Sequence, residues 1–479
     1  MVSWSIYPVI LYYLSEDRGL FMDCACPVEV STSALPSISP SHLWHTTSDL
    51  HLAPLPKNHH LAFNPMGPAG VVVLNESAYN LLQSYQQPHP LHHPESFTLA
   101  QLQLLSPVES SLPAAACLPQ PTKLTAWLHL TNACNLNCSY CYLNKTNEKM
   151  DLATGKAAVD KLLHQARQHG FDGLKLKYAG GEPTLNFELL RELHPYARDR
   201  ARQLGVGLEA VMLSNGVRLT PEMLTFLQRQ DIGLSISLDG LGMAHDMQRP
   251  FVGGQPSSHL VLRNIDLALE HGISPYLSIT ITETNADAIA EVAAYALERK
   301  LYFNLNFYRS QSYGNGAARR AANDKLIVNV MKVLQVIEND LPEYNLFANL
   351  MDRANFATPH THTCGVGDNY LVIDHHGGIA QCHMLIDETV SNIWEQDPLL
   401  TLRTTPSING FYNISVDEKE SCSTCEWRYW CAGGCPLEAL HTNGRVEAKS
   451  PYCDIYKAVF PEILRLEGLR LLKRNSILL

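Results

Sequence analysis

Residues 131–143 read TNACNLNCSYCYL. Cys134, Cys138 and Cys141 are spaced C-x3-C-x2-C, Tyr142 comes directly after the last, and the loop supplies no fourth cysteine. Three thiolates at this spacing suit three irons of a cubane iron–sulfur cluster, whose soft chemistry matches cysteine. The fourth iron is then left without a protein ligand, and an open metal position is what distinguishes a catalytic site from a closed structural one. Spacing alone leaves zinc or incidental core thiols open. Three ligands without an adjacent histidine nevertheless make a closed zinc site awkward.

The surrounding pattern gives this loop a place. LTAWLHL, directly ahead of it, predicts a strand, and DLATGKAAVDKLLHQARQHG behind it predicts a helix ending at Gly170. LKLKYA, LEAVMLS, IGLSISL, PYLSITI and LYFNLNF repeat the strand signal at regular intervals, with helical stretches between them. Strands alternating with helices in this way predict parallel β/α units. The fold class is therefore α/β, a partial (β/α)6 TIM-like barrel over 122–310, and active sites gather where such strands end. Three more strand ends carry small polar or flexible residues: AGGEP (Gly180, Gly181, Glu182, Pro183), LSNG (Ser214, Asn215, Gly216) and SISLDG (Ser235, Ser237, Asp239). Arg249, next in HDMQRP, offers either a cation for a carboxylate or a surface ion pair.

A C-x3-C-x2-C loop after the first strand of a β/α barrel, with rim motifs on the next three strands, resembles the radical S-adenosylmethionine (SAM) superfamily. The resemblance implies a [4Fe–4S] cluster on Cys134, Cys138 and Cys141, with SAM chelating the open iron. It implies that Gly180–Pro183, Ser214, Asn215, Ser235, Ser237, Asp239 and Arg249 line the SAM site, and that reduction cleaves SAM to methionine and a 5′-deoxyadenosyl radical. No residue stands out as catalytic base; Asp239 and Asp368 are candidates only as acids near predicted site loops.

A second cysteine array occupies the C-terminal part. Cys364, Gly377 and Cys382 are succeeded by Cys422, Cys425, Cys431, Cys435 and Cys453. Seven cysteines do not divide into complete tetrahedral zinc sites, but they divide into one four-ligand and one three-ligand iron–sulfur cluster. The pattern resembles the SPASM extension of radical SAM enzymes. That resemblance implies one auxiliary cluster on Cys422, Cys425, Cys431 and Cys453, and another on Cys364, Cys382 and Cys435, three [4Fe–4S] clusters in all. His383 is a possible further ligand but more simply a loop residue. Cys24, Cys26 and Cys117 have no assigned role. The histidine groups HPLHHP (89–94) and HTHTC (360–364) lie in Pro- and Thr-rich loops and are not read as metal sites.

The remaining divisions are an irregular segment over 1–59, a winged-helix-like unit over 60–115, a helical linker over 311–355 and the cysteine-rich iron–sulfur region over 356–479. Within the second unit, VVVLNESAY predicts a strand running into a helix capped by Asn75. The unit resembles the leader-recognition domains of peptide-maturation systems, which implies a ribosomally made precursor peptide as partner. The same resemblance implies modification by cross-linking, and an electron donor such as flavodoxin or ferredoxin. Sulfatase maturation, maturation of a quinone-bearing subunit and a non-catalytic metal scaffold are the alternatives.

Bulk properties exclude other classes. Of 479 residues 46% are hydrophobic and the net charge is −11, which argues against a general nucleic-acid binder. No apolar run reaches the roughly 18 residues of a membrane span. The opening MVSWSIYPVILYYL lacks a basic leading region and a cleavage site, so no signal peptide is expected; Met22 is an alternative start. Thirteen clustered cysteines fit a reducing, cytoplasmic setting in which thiols serve metals rather than disulfides.

Overall fold

The computed structural model describes residues 10–12, 42–67, 70–108, 121–310, 319–356, 359–405 and 410–475; Cys24, Cys26 and Cys117 lie outside these. The first unit comprises β1 (Ile10–Tyr12), β2 (Trp44–Thr46), β3 (His51–Leu55), β4 (His59–Phe63), β5 (Val71–Asn75), α1 (Glu76–Ser84), α2 (Pro94–Gln101) and β6 (Leu105–Pro107). Four of its strands form an antiparallel sheet in the order β1-β5-β4-β3, and β2 pairs with β6. Asn75 caps α1, its side chain accepting from the Ala78 amide at 2.9 Å. Alternate residues divide the sheet: Ala62, Val72 and Leu74 pack with Ala78, Leu82 and Leu99 of the helices, while Leu61, Phe63 and Val73 join the main core. Burial on both faces is why VVVL is an unbroken apolar run.

Ordered structure thus begins before residue 60, within the segment expected to be irregular. Its strands, three to five residues long and interrupted by Pro54 and histidines, are too short to show a clear period of two. The winged-helix expectation goes further than this sheet-and-two-helix arrangement does.

The barrel strands are β7 (Lys123–His129), β8 (Gly173–Ala179), β9 (Gly207–Ser214), β10 (Ile232–Ser237), β11 (Tyr276–Ile281) and β12 (Phe303–Phe307). Each pairs in parallel with the next. Between them lie α3 (Leu152–Gln168), α4 (Phe187–Leu204), α5 (Pro221–Gln230), α6 (Met243–Gln248), α7 (Ser258–Glu270) and α8 (Ile289–Glu298). This is the expected six-unit α/β core. Side chains at the C-terminal halves of β10, β11 and β12, namely Ser237, Thr280 and Asn306, converge on one cavity.

The chain beyond β12 is built into the sheet rather than appended to it. After α9 (Asn323–Asn339), residues 350–352 run beside β12, with Leu305 N donating to Leu350 O and Asp352 N to Leu305 O, both at 2.8 Å. At the other edge β13 (Tyr370–Ile373) pairs in parallel with β7, and β14 (Gly378–Ala380) and β15 (Ser391–Asn392) extend it antiparallel. The expected linker therefore closes one edge of the barrel sheet and the cysteine-rich region closes the other.

The chain then forms α10 (Pro398–Thr404), α11 (Arg428–Cys431), α12 (Pro436–Asn443) and α13 (Cys453–Arg474). The last is buried on most sides, lodged between α9 and the N-terminal sheet. At Gly468 an added Cβ would stand 3.0 Å from Leu55 Cδ1 and 3.2 Å from Leu61 Cδ1. The absence of a side chain there lets the helix close on the sheet.

Candidate active site

The cysteine loop leaves β7 and is fastened from both sides. Asn132 N donates to Glu148 O at 2.9 Å, while Asn137 N and Ser139 N donate to Pro250 O and Gln248 O at 2.8 and 2.9 Å. Cys138 is buried, and Cys134 and Cys141 are half-buried. Burial pushes the Cys134 thiol up to about 12, and it raises Cys138 too, with nearby Arg249 pulling the latter back. Thiols in such surroundings stay protonated until a metal ion takes the proton's place.

Sulfur spacing separates the two metal readings. Tetrahedral zinc with Zn–S of about 2.3 Å requires sulfurs about 3.8 Å apart. Among the described residues no three cysteine sulfurs lie within 4.8 Å of one another. That separation is wider than a single tetrahedral zinc ion requires.

The Gly180–Pro183 loop lies directly against the cysteine loop. Gly181 N donates to Thr131 O at 2.7 Å and Glu182 N to Ala133 O at 2.9 Å. A Cβ on Gly181 would meet Ala133 O at 2.3 Å, so close backbone approach demands glycine here. Glu182 is fully buried and gathers four donors. Thr184 N and Thr184 Oγ1 donate at 3.1 and 2.7 Å, Ser214 Oγ at 2.9 Å and Asn215 N at 2.7 Å. Asn215 Nδ2 continues to Asn135 Oδ1 at 2.8 Å and lies 3.9 Å from Cys134 Sγ. Three of the four sequence motifs are thereby one hydrogen-bonded assembly. Pro183 is buried and opens the short turn that leads into α4.

Beside this assembly a cavity of about 240 Å³ opens at the strand ends, lined by Ser214, Ser235, Ser237, Tyr140 and Arg249 among others. Arg249 is no surface ion pair: it is buried, stands within 3.4 Å of Asp239 and also hydrogen-bonds Tyr140. Its Nε is buried without a partner, an orphan donor at the wall of the cavity. Asp239 does not line the cavity. It is fully buried and accepts from Tyr140 at 2.5 Å and from Thr280 N at 2.8 Å, so it orients Arg249 and Tyr140 rather than reaching a substrate. Asp368 lies at the surface, paired with Arg403 at 3.0 Å, and is not among the lining residues.

The cavity also has walls that the motifs did not indicate: Trp127, Asn304, Asn306, Arg309 and His383. His383 stacks on Trp127 at 4.8 Å and meets Tyr142 edge-on at 5.5 Å. Burial, then the nearby Arg353 and Arg309, hold its pKa well below the ordinary range and keep the ring neutral. Arg309 pairs with Asp352 at 2.6 Å. A signal for Asn304 and Asn306 existed: two amides at i and i+2 in an otherwise apolar strand mark one face, here the interior of the barrel.

The seven C-terminal cysteines fall into two groups. Cys422, Cys425, Cys431 and Cys453 are electrostatic neighbours, and burial pushes Cys431 up to about 12. Cys364, Cys382 and Cys435 share a smaller apolar cluster with Trp127 and Leu143. Gly377 takes the positive-φ position of the turn between β13 and β14 (φ +89). Buried Lys419 lies between the groups, donating to Gly433 O at 3.1 Å. Burial lowers its pKa, and Cys422, Cys435, Cys431 and Cys364 pull it back up.

Comparison with known proteins agrees with this geometry. Residues 128–296 match the Radical SAM superfamily. An uncharacterised protein of Methanocaldococcus jannaschii is 32% identical over 171 residues, 36% of this chain and 57% of that protein. The cysteine-type anaerobic sulfatase-maturating enzyme of Clostridium perfringens is 21% identical over 356 residues, 69% of this chain and 93% of that protein. The antilisterial bacteriocin subtilosin biosynthesis protein AlbA of Bacillus subtilis is 24% identical over 336 residues, 67% of this chain and 69% of that protein. A solved structure of native anSMEcpe with bound AdoMet and a Cp18Cys peptide shares the fold, with a TM-score of 0.58 at 17% identity, covering 74% of this chain and 99% of that one. Among the described residues no helix is long and apolar enough to cross a membrane.

Proposed function

We propose that this chain, whose residues 128–296 form a radical SAM domain, modifies a ribosomally made precursor peptide, by cross-linking it. Cys134, Cys138 and Cys141 hold a [4Fe–4S] cluster, and SAM binds beside it against Gly180, Gly181, Ser214, Asn215, Ser235, Ser237 and Arg249. When bound, cluster and SAM supply the hard chemistry, reductive cleavage to methionine and a 5′-deoxyadenosyl radical that takes hydrogen from the substrate. One observation carries this reading. The cysteine loop, the Gly181–Glu182 turn and the Ser214–Asn215 turn are hydrogen-bonded together at the ends of three consecutive parallel strands.

The chain's own residues then have defined tasks. Arg249, aimed by Asp239 and Tyr140, presents its unpartnered Nε to an anionic group such as a carboxylate. Trp127, Tyr142 and His383 wall off the cavity and exclude water from reactive species. Two auxiliary [4Fe–4S] clusters sit on Cys422, Cys425, Cys431 and Cys453, and on Cys364, Cys382 and Cys435. The separation of these thiols into two groups supports that division. A flavodoxin or ferredoxin supplies electrons. The N-terminal sheet, with its antiparallel edges, recruits the leader of the precursor as an added strand.

Sulfatase maturation is a second reading, favoured by alignment over 93% of the Clostridium enzyme. A shared fold that accounts for 74% of this chain leaves the remainder unexplained on that reading, and a leader-binding unit would explain it. The test uses anaerobically reconstituted protein given SAM and dithionite. We expect 5′-deoxyadenosine, absent from Cys134→Ala, and a mass loss of hydrogen atoms in a precursor peptide encoded beside this gene. Zinc in place of iron and no deoxyadenosine would overturn the enzyme reading. Formylglycine formed on a sulfatase peptide would select the second.

A further inference from the structure

We propose that Glu148, His375 and His376 bind a first-row divalent cation, of the zinc or ferrous-iron type, at a site separate from every cysteine group. This does not rest on the function proposed above. Glu148 lies on the segment returning from the cysteine loop, where its carbonyl accepts from Asn132 N and Thr131 Oγ1, both at 2.9 Å. His375 and His376 form the turn between β13 and β14. That turn is braced by Asp374, whose Oδ1 accepts from the His376 and Gly378 amides at 2.8 Å. Two separate regions of the chain thus bring three metal-ligating side chains to one point.

The distances suit a small cation. His375 Nε2 stands 3.3 Å from Glu148 Oε2 and His376 Nε2 stands 3.4 Å from Glu148 Oε1. A zinc ion at about 2.0–2.2 Å from nitrogen and oxygen ligands sets them about 3–3.6 Å apart. Among the described residues this is the one trio whose ligand atoms all lie within 4.8 Å. Two imidazoles and a carboxylate with open positions are a set that zinc and ferrous iron both accept.

A second observation comes from behind the trio. His375 Nδ1 is buried without a hydrogen-bond partner, and so is Nδ1 of the fully buried His129, whose ring lies 5.9 Å away. Coordination would fall on His375 Nε2, the nitrogen that faces Glu148, and leave Nδ1 to carry the ring proton. The cation would tie the segment behind the cysteine loop to the first hairpin of the C-terminal region. Binding to the folded state alone would raise stability with metal concentration.

The experiment is equilibrium dialysis of the anaerobically reconstituted holoprotein, its cysteines already occupied, against zinc alone and, in parallel, ferrous iron alone. The proposal expects about one added equivalent of one of these metals per chain. That equivalent, and the metal-dependent rise in Tm, should both vanish in Glu148→Gln and in His376→Ala. His376 is 66% exposed, so its removal does not threaten the fold. Uptake of zinc identifies a three-ligand zinc site, and uptake of iron a mononuclear iron site. Absence of added metal, or uptake equal in wild type and both variants, overturns the proposal.

Discussion

At the scale of single residues, Glu182 shows how much of the site hangs on one carboxylate. It was legible in GGEP as a rim residue, although the donors it gathers were not. Its four donors come from two different strand ends, and every one points at an acceptor. Glu182→Gln keeps the shape but turns an acceptor into an NH2 group that must face Asn215 N–H or the Thr184 and Ser214 donors. Hydrogen bonds to charged groups contribute roughly 1.5–3 kcal/mol. We expect the variant to lose about 2–3 kcal/mol in urea unfolding and to bind SAM more weakly. Unchanged stability would mean the ring of donors relaxes freely. Arg249 and Asp239 were legible as residues but not as a pair. Sequence placed both at the rim, and only the fold shows that one faces the cavity while the other stands behind it.

At the scale of elements, length decided what could be read. The six barrel strands are five to eight residues of largely apolar chain, and each announced itself. β13, β14 and β15 have four, three and two residues, too few for any period, so the extension of the sheet beyond β7 went unseen. Helix α13 has no single apolar face to read, since its apolar residues surround it and charges are paired inside. Arg470 is fully buried, and its Nε and Nη2 donate to Glu467 at 2.7 and 2.8 Å while Nη1 reaches Glu343 O at 2.9 Å. Removing one partner leaves a buried charge uncompensated, which costs about 3–5 kcal/mol, whereas replacing both by apolar groups is often near neutral. Glu467→Ala should therefore unfold at markedly lower urea, and Glu467→Met with Arg470→Met should recover most of the loss. A double variant as weak as the single one would mean the Arg470–Glu343 bond carries the helix.

At the scale of the whole molecule, histidines held neutral by burial make stability depend on pH, among them His129, His194 and His245 as well as His383. Burial lowers His129 to about 3 and His194 and His245 to about 4, against an ordinary value near 6.5. His194 Nδ1 meets the Tyr178 hydroxyl at 3.0 Å, and His245 Nδ1 accepts from Asp239 N at 3.3 Å, both contacts suited to an uncharged ring. Their folded pKa values are depressed, so the unfolded chain binds protons that the folded chain refuses. Stability is full above pH 6.5 and falls as pH drops from there toward 4. His129, His194 and His245 each cost about 2 kcal/mol by pH 5, so together they add about three protons to the slope over this window. His194 lies on α4, outside the proposed cofactor and metal sites, which makes it the group to test. His194→Gln removes one proton from that slope. Its urea midpoint should therefore lie closer to wild type at pH 5 than at pH 7, the gap narrowing by the equivalent of about 2 kcal/mol. A variant that loses stability between the two pH values as steeply as wild type would show that His194 takes up its proton without unfolding.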